Sequence, residues 1–260
     1  MHICEALRGS ALALADAEVL LAKTLGKNRA WLLAHSDDEL TPECWTHFTR
    51  WVERRRKHEP VAYIIGEQEF YGRPFTVDKR VLIPRPATEG VVRAALSMLS
   101  GGGDSREMVD EGIVVVATKL KMKNEKLKIS SIVDVGTGSG CIGITLALER
   151  PDLKIIATDI SSDALDVAKI NAKRHNVTDR ITFKQGSGLD PVHHLTEPFL
   201  LVSNPPYIPS GNDLMTDVKD FEPHVALFGG KRGNEIALDL QKSAEAHPFC
   251  VGCVMEGHKE

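Results

Sequence analysis

From residue 130 onward the chain alternates short apolar runs with amphipathic stretches, and this alternation limits the folds it can adopt. The runs "SSIVDV" (130–135), "LKIIATD" (153–159), "RITFKQ" (180–185) and "FLLVSN" (199–204) read as strands. Between them, "GCIGITLALER" (140–150) and "SDALDVAKINAKRH" (162–175) read as helices, the second with Ser162 or Asp163 near its cap. Strands that are apolar throughout need cover on both faces, and strand–helix–strand units supply it through right-handed crossovers. The expectation is an α/β fold with a mostly parallel sheet, binding ligand beyond the C-terminal ends of its strands.

The first strand runs into "GTGSG", which sets Gly136, Gly138 and Gly140 between a strand and a helix, with Thr137 and Ser139 among them. Glycines let a backbone turn tightly and approach a ligand closely, and the following helix start offers free N–H groups. Such a loop alone could hold a dinucleotide, a nucleoside or nothing. Asp134 before it and the G-x-G-x-G spacing depart from the dinucleotide pattern G-x-G-x-x-G. Asp159 stands 19 residues after Gly140, at the end of the second strand, where an acid can accept hydrogen bonds from both ribose hydroxyls. The ligand is therefore expected to carry a ribose. Asp159 could instead cap the next helix, but Ser161 or Ser162 can do that.

At another strand end comes Asn204-Pro205-Pro206-Tyr207. The prolines fix φ and remove donors, leaving a stiff turn whose carbonyls only accept. The Asn204 oxygen and the Pro205 carbonyl could hold the two N–H bonds of a planar amine or amide, with the Tyr207 ring stacked on it. The alternative is a rigid loop with a packed tyrosine. The ribose pocket expected in the same domain favours a clamp for a planar, weakly nucleophilic –NH2.

Before residue 60 the pattern is helical. "ADAEVLLAKTLG" puts Val19, Leu20, Leu21 and Leu25 on one side and ends at Gly26, and Thr41-Pro42 opens a helix whose Trp45, Phe48 and Val52 share a face. Arg54-Arg55-Arg56-Lys57 reads as a solvated helix end, with RNA or an acidic partner as the minority reading. Residues 61–83 read as two short strands around a turn, and 101–129, with lysines 119, 121, 123, 126 and 128, as a solvated insert. Lys+Arg 32 against Asp+Glu 36 gives −4 and a pI of about 6.2, so no bulk field draws nucleic acid or anionic membrane. No apolar run reaches the ~18 residues of a membrane span, and "MHICEALRGS" lacks the features of a signal peptide. Five cysteines form no disulfide framework, which points to a reducing cytoplasm, and Cys250-x-x-Cys253 reads as two small residues in a late strand; no metal site is expected.

Asp134 to Gly140 together with Asn204 to Tyr207 resembles class I S-adenosylmethionine-dependent N-methyltransferases. "GEQEFYGRPFTVDKRVLIPRPATEGVV" (66–92), "DAEVLLAKTLG" and "FEPHVALFGG" (221–230) resemble the release factor glutamine methyltransferases, the PrmC/HemK family, nearly throughout the chain. The resemblance implies a Rossmann-like methyltransferase domain at 86–260, a β-hairpin linker at 61–85 and a helical substrate-binding domain at 1–60. It implies N5-methylation of the glutamine in the Gly-Gly-Gln motif of a class I peptide chain release factor, in the cytoplasm, by a monomer that needs no nucleic acid or membrane. S-adenosyl-L-methionine would sit on Gly136, Thr137, Ser139, Gly138, Gly140, Asp159 and Gly188, with Asn204 between it and the substrate. Asn204, Pro205, Pro206 and Tyr207 would form the catalytic clamp.

Three departures stand out. Ser187, followed by Gly188, replaces an acid that normally meets the adenine, and Asp190 would reach that place only after a loop shift. Ala87 replaces a glutamate in "PRPATE", while Thr88 and Glu89 remain. "FCVGCVMEGHKE" resembles the start of a fifth strand, so the C-terminal strands look truncated and an open sheet edge is expected there. That edge supports a second reading, an inactive remnant that binds cofactor or release factor. A DNA adenine-N6 methyltransferase shares Asn-Pro-Pro-Tyr but not the 66–92 segment, and an NAD-dependent oxidoreductase has the wrong glycine spacing.

Overall fold

A computed structural model describes residues 1–102, 104–110, 113–119 and 128–258. In chain order its helices and strands are α1 (Ile3–Gly9), α2 (Leu14–Leu25), α3 (Arg29–Ala34), α4 (Pro42–Arg56), α5 (Val61–Ile65), β1 (Glu67–Phe70), β2 (Arg73–Thr76), α6 (Glu89–Leu99), β3 (Ser105–Asp110), β4 (Ile113–Lys119), β5 (Ser131–Val135), α7 (Cys141–Glu149), β6 (Lys154–Asp159), α8 (Ser162–Arg174), β7 (Ile181–Gln185), β8 (Phe199–Ser203), β9 (Ile208–Pro209), α9 (Thr216–Phe221), β10 (Phe228–Gly230), α10 (Glu235–Ala246) and β11 (Cys250–His258). The chain divides into two units, Met1–Glu67 with Leu214–Phe221, and Gln68–Asp213 with Glu222–Glu260.

The first unit is helical. Its core is built from Ile3, Leu20, Leu21, Leu32, Phe48, Val52 and Ile64. Gly26 caps α2 in the left-handed region, and the Thr41 side chain accepts the Cys44 N–H at the start of α4. Val19, expected on the apolar side of α2, is exposed, and Ala17 and Glu18 are buried in its place. Residues 61–65, expected as strand, form the short helix α5, closed at Gly66 with φ +73°. The arginine run is exposed at Arg56 and Lys57, as read from the sequence, and its three arginines also have partners in the unit. Arg54 pairs with Glu59, Arg55 with Asp16 at 2.7 Å, and Arg56 donates to the Ser10 carbonyl at 2.8 Å.

The second unit is built on a seven-stranded sheet in the order β3-β4-β11-β8-β5-β6-β7, with a separate hairpin β1-β2 and the small parallel pair β9-β10. The five strands from β11 to β7 run parallel. Side chains alternate along these strands. Ile132, Leu200, Val202 and Val254 enter one core with α6 and α7, and Val133, Val135, Leu201 and Cys253 enter the other with Leu240 and Ala244 of α10. Cys250 and Cys253 are buried free thiols of β11.

The expected open edge at the fifth strand is paired. β4 runs antiparallel to β11, from Gly252 opposite Lys119 to His258 opposite Ile113, and β3 continues the sheet outside it. The stretch expected as a solvated insert thus supplies two strands. "IVVVATK" is rich in β-branched residues, and Val114, Val115 and Ala117 are buried. Lys121, Lys123 and Lys126 lie outside the described residues. No described helix is long and apolar enough to cross a membrane.

Val115→Asp places an unpaired carboxylate in this outer layer. It should cost about 3 kcal/mol or more in urea unfolding of the full chain. A midpoint equal to the wild type would show that β4 does not pack on the sheet.

Candidate functional site

The site grows from the end of β5. Asp134 is fully buried, and its Oδ2 accepts from Thr137 Oγ1 at 2.6 Å and from the Gly143 N–H at 3.0 Å. One carboxylate therefore fixes both the middle of the glycine loop and the first turn of α7. Its Oδ1 has no partner, and burial pushes the group up to about 6 against the pull of those two hydrogen bonds. Thr137 and Ser139 are buried; the Ser139 carbonyl accepts from Asn171 Nδ2 at 2.8 Å. Gly140 is the N-cap of α7. These three build the loop, while Gly136 and Gly138 line the cleft above it. Gly138 has φ +54°, a conformation open to glycine at little cost, and this aims its N–H at Asp159 Oδ2, 2.9 Å away.

Asp159 ends β6. Its Oδ1 accepts the Ser161 N–H at 2.9 Å, and burial holds the carboxyl above its ordinary range. Ser161, not Asp159, caps α8, through Oγ to the Ala164 N–H at 3.2 Å. Each Asp159 oxygen keeps a second lone pair. The carboxylate can thus accept from two hydroxyls of a vicinal diol without giving up the loop.

The loop after β7 contributes Gly186, Ser187, Gly188, Leu189 and Asp190 to the cleft wall. Asp190 is part of the cleft wall in this loop conformation. The Asp190 N–H donates to the Ser187 carbonyl at 3.0 Å, and this turn folds the acid back beside Ser187.

The clamp follows β8. Asn204, Pro205 and Pro206 line the cleft. Asn204 Nδ2 donates to Thr88 Oγ1 at 2.9 Å, so the amide nitrogen is tied back and Oδ1 is left as the acceptor. Tyr207 is not among the lining residues, because the chain beyond Pro206 turns into β9 and pairs with β10, with Ile208 N–H on the Leu227 carbonyl. β10 passes very close to the clamp. A Cβ at Gly229 would come 2.3 Å from the Pro206 carbonyl oxygen, a separation that only a glycine avoids. The segment ahead of α6 is held by the buried Glu222, which pairs with Arg85 and accepts the Ile83 N–H at 3.2 Å. In "PRPATE", Thr88 supports Asn204 and Glu89 accepts the Tyr71 N–H at 2.9 Å, while Ala87 is packed away.

These elements enclose a cleft of about 410 Å³. Its far wall was not foreseen: Ile236, Leu240 and Ser243 of α10 with Pro223 and Val225. The 236–240–243 spacing marks one helix face, and that was the available signal. Thr88 and Glu222 were visible only as parts of longer segments. Among the described residues no His, Cys, Asp and Glu side chains cluster to hold a metal.

Two family profiles match the chain: "PrmC N-terminal domain" over residues 2–66 and "Methyltransferase small domain" over residues 98–220. The release factor glutamine methyltransferase of Koribacter versatilis is 38% identical over 234 residues, covering 89% of this chain and 74% of its own length. That of Chlorobaculum tepidum is 42% identical over 218 residues, covering 82% of this chain and 67% of its own. A bifunctional methyltransferase of Rickettsia bellii is 38% identical over 84% of this chain, which spans only 40% of that protein.

Asp134 carries a pH-dependent cost. Its carboxyl ionises near 3.8 when unfolded and about 6 when folded, so in that window the folded state holds the extra proton and stability falls as pH rises. Asp134→Asn keeps a carbonyl oxygen for Thr137 and Gly143 and removes the charge. It should be roughly 2–3 kcal/mol more stable relative to wild type at pH 8 than at pH 3.5, read from urea midpoints. A pH-independent difference would contradict the buried-charge assignment.

Proposed function

The chain belongs to the release factor glutamine methyltransferase family, and on that footing we propose that it methylates the side-chain nitrogen of the glutamine in the Gly-Gly-Gln motif of a class I peptide chain release factor, with S-adenosylmethionine as donor. The observation that carries this reading is Asn204, whose amide nitrogen is occupied by Thr88 so that its oxygen is free to accept.

The cleft suits the donor. Its volume is that of a nucleoside-class site, Asp159 has lone pairs to spare for the ribose, and Gly136 and Gly138 bring backbone to its floor. Ser187, Gly188 and Asp190 line the cleft and would meet the adenine edge, with Asp190 serving three residues beyond the position of the expected acid. The donor supplies a methyl carbon made electrophilic by a sulfonium sulfur.

The rest of the chemistry belongs to this chain. A glutamine nitrogen is a poor nucleophile because its lone pair is delocalised into the carbonyl. Asn204 Oδ1 and the Pro205 carbonyl would accept its two N–H bonds and aim the nitrogen along the line of attack. Such orientation supplies up to roughly 7–11 kcal/mol in favourable cases. The same two acceptors face the positive charge that develops on nitrogen as the new bond forms. No base is needed before attack, since the nitrogen becomes acidic only once it carries that charge. The Pro205-Pro206 turn keeps the acceptors rigid and offers no competing donor. The helical first unit is proposed to hold the release factor.

Label from S-adenosylmethionine should pass to a class I release factor and not to its Gly-Gly-Ala variant. Asn204→Ala should lower kcat by roughly 100-fold or more with cofactor Kd nearly unchanged. Asp159→Ala should instead weaken cofactor binding, by about 10- to 100-fold, as charge-assisted hydrogen bonds are lost. Equal labelling of both release factors, or an Asn204→Ala enzyme with wild-type kcat, would refute the assignment.

A further inference from the structure

Behind the clamp lies a carboxyl that the reading above does not use. Glu256 belongs to β11, where Met255 stands opposite Ser203 of β8, so Glu256 comes level with Asn204. On its other side it is paired with Val115 of β4. The side chain is 1% exposed. It faces Thr88, Tyr207 and Asn204, yet neither oxygen closes a hydrogen bond of ordinary length. A buried carboxyl without a firm partner is costly, and a site that tightens on binding substrate is where such a group is found.

The direction of the hydrogen bonds gives it a task. Thr88 Oγ1 accepts from Asn204 Nδ2, so its own O–H proton must point elsewhere. Glu256 is the acceptor it faces. We propose that Glu256 is a positioning residue for the substrate amide: its carboxylate ends a relay, Asn204 N–H to Thr88 O–H to Glu256, that holds the Asn204 oxygen toward the cleft. This rests on the reading of Asn204 as the acceptor for a planar amide. A neutral acid at 256 could donate to Thr88 and reverse the relay. The ionised form also puts a negative charge behind the nitrogen that becomes positive during transfer.

The surroundings are consistent with a poised group. Among the described residues, the titratable or charged side chains that act on it include Tyr207, Arg85 and Cys141, with Glu222 paired to Arg85. Cys141 is buried and pushed up to about 12, so it stays neutral. Burial holds Glu256 above its ordinary range, against the pull of Thr88, Tyr207, Asn204 and Arg85. Folding therefore disfavours its charge, and stability is lost as pH rises through its raised value.

The test compares wild type, Glu256→Gln and Thr88→Val in the full chain. Both variants should lower kcat by roughly 10- to 100-fold with cofactor Kd nearly unchanged. Glu256→Gln should unfold at an equal or higher urea concentration at pH 8, which a merely structural role would not give. In ¹⁵N NMR the Asn204 side-chain amide should shift as pH is lowered in wild type, stay still in Glu256→Gln and shift less in Thr88→Val. An Asn204 amide that titrates alike in all three proteins, or not at all in wild type, would overturn the relay, as would wild-type kcat in Glu256→Gln. If wild type labels no release factor, the proposed substrate fails, and the NMR titration still decides the role of Glu256.

Discussion

Strand β5 has β6 on one side and β8 on the other, and the chain must leave the ends of these strands in opposite directions. That fork is the constraint on which the second unit depends. After β5 the chain goes outward through β6 and β7, then crosses back to enter β8 beside β5. A gap at the C-terminal ends is the geometric result, and loops from either side border it. Asp134 closes the floor of the gap by tying loop to helix, Asp159 stands on one bank and Asn204 on the other. Ser203 Oγ, donating to the Val135 carbonyl at 2.7 Å, locks the two central strand ends together.

Three carboxyls in this unit, Asp134, Asp159 and Glu256, are held above their ordinary range chiefly by burial. A core chosen for stability alone would not contain them. The apolar strands around them, with Ile132, Val133, Leu200, Leu201, Val202 and Val254 all buried, offset that cost. Their roles differ with the bonds available. Asp134 is spent on architecture, Asp159 accepts from the Gly138 and Ser161 N–H groups at the cleft wall, and Glu256 has no firm partner in this conformation.

Much of the site was legible because its residues sit at strand ends that announce themselves. Gly136, Gly138, Asp159, Gly188, Asn204, Pro205 and Pro206 were named from sequence and line the cleft. Thr137, Ser139 and Gly140 were read as ligand contacts but turn inward, since a tight loop needs small buried residues of its own. Tyr207 was read as a stacking ring, and the pairing of β9 with β10 takes it off the wall. What stayed hidden was long-range pairing. Thr88 meets Asn204, Arg85 meets Glu222, and β4 meets β11 across more than a hundred residues, where no local pattern links the partners. The β4 error had a further cause: glycines and lysines on its flanks outweighed the β-branched run between them.

The edge hairpin also bears on how the chain reaches its fold. Residues 113–119 are made well before 252–258, the strand they pair with. A growing chain therefore carries β3 and β4 out of the ribosome with no sheet to join. The β4 backbone groups turned away from β3 wait while β5 to β8 are synthesised, and the valines beside them wait uncovered. The contacts that complete the sheet are among the most distant in the sequence, and such contacts close slowly. Assembly of this layer is thus expected to be the last step, and the nascent hairpin a natural client for a chaperone that shields unpaired strands.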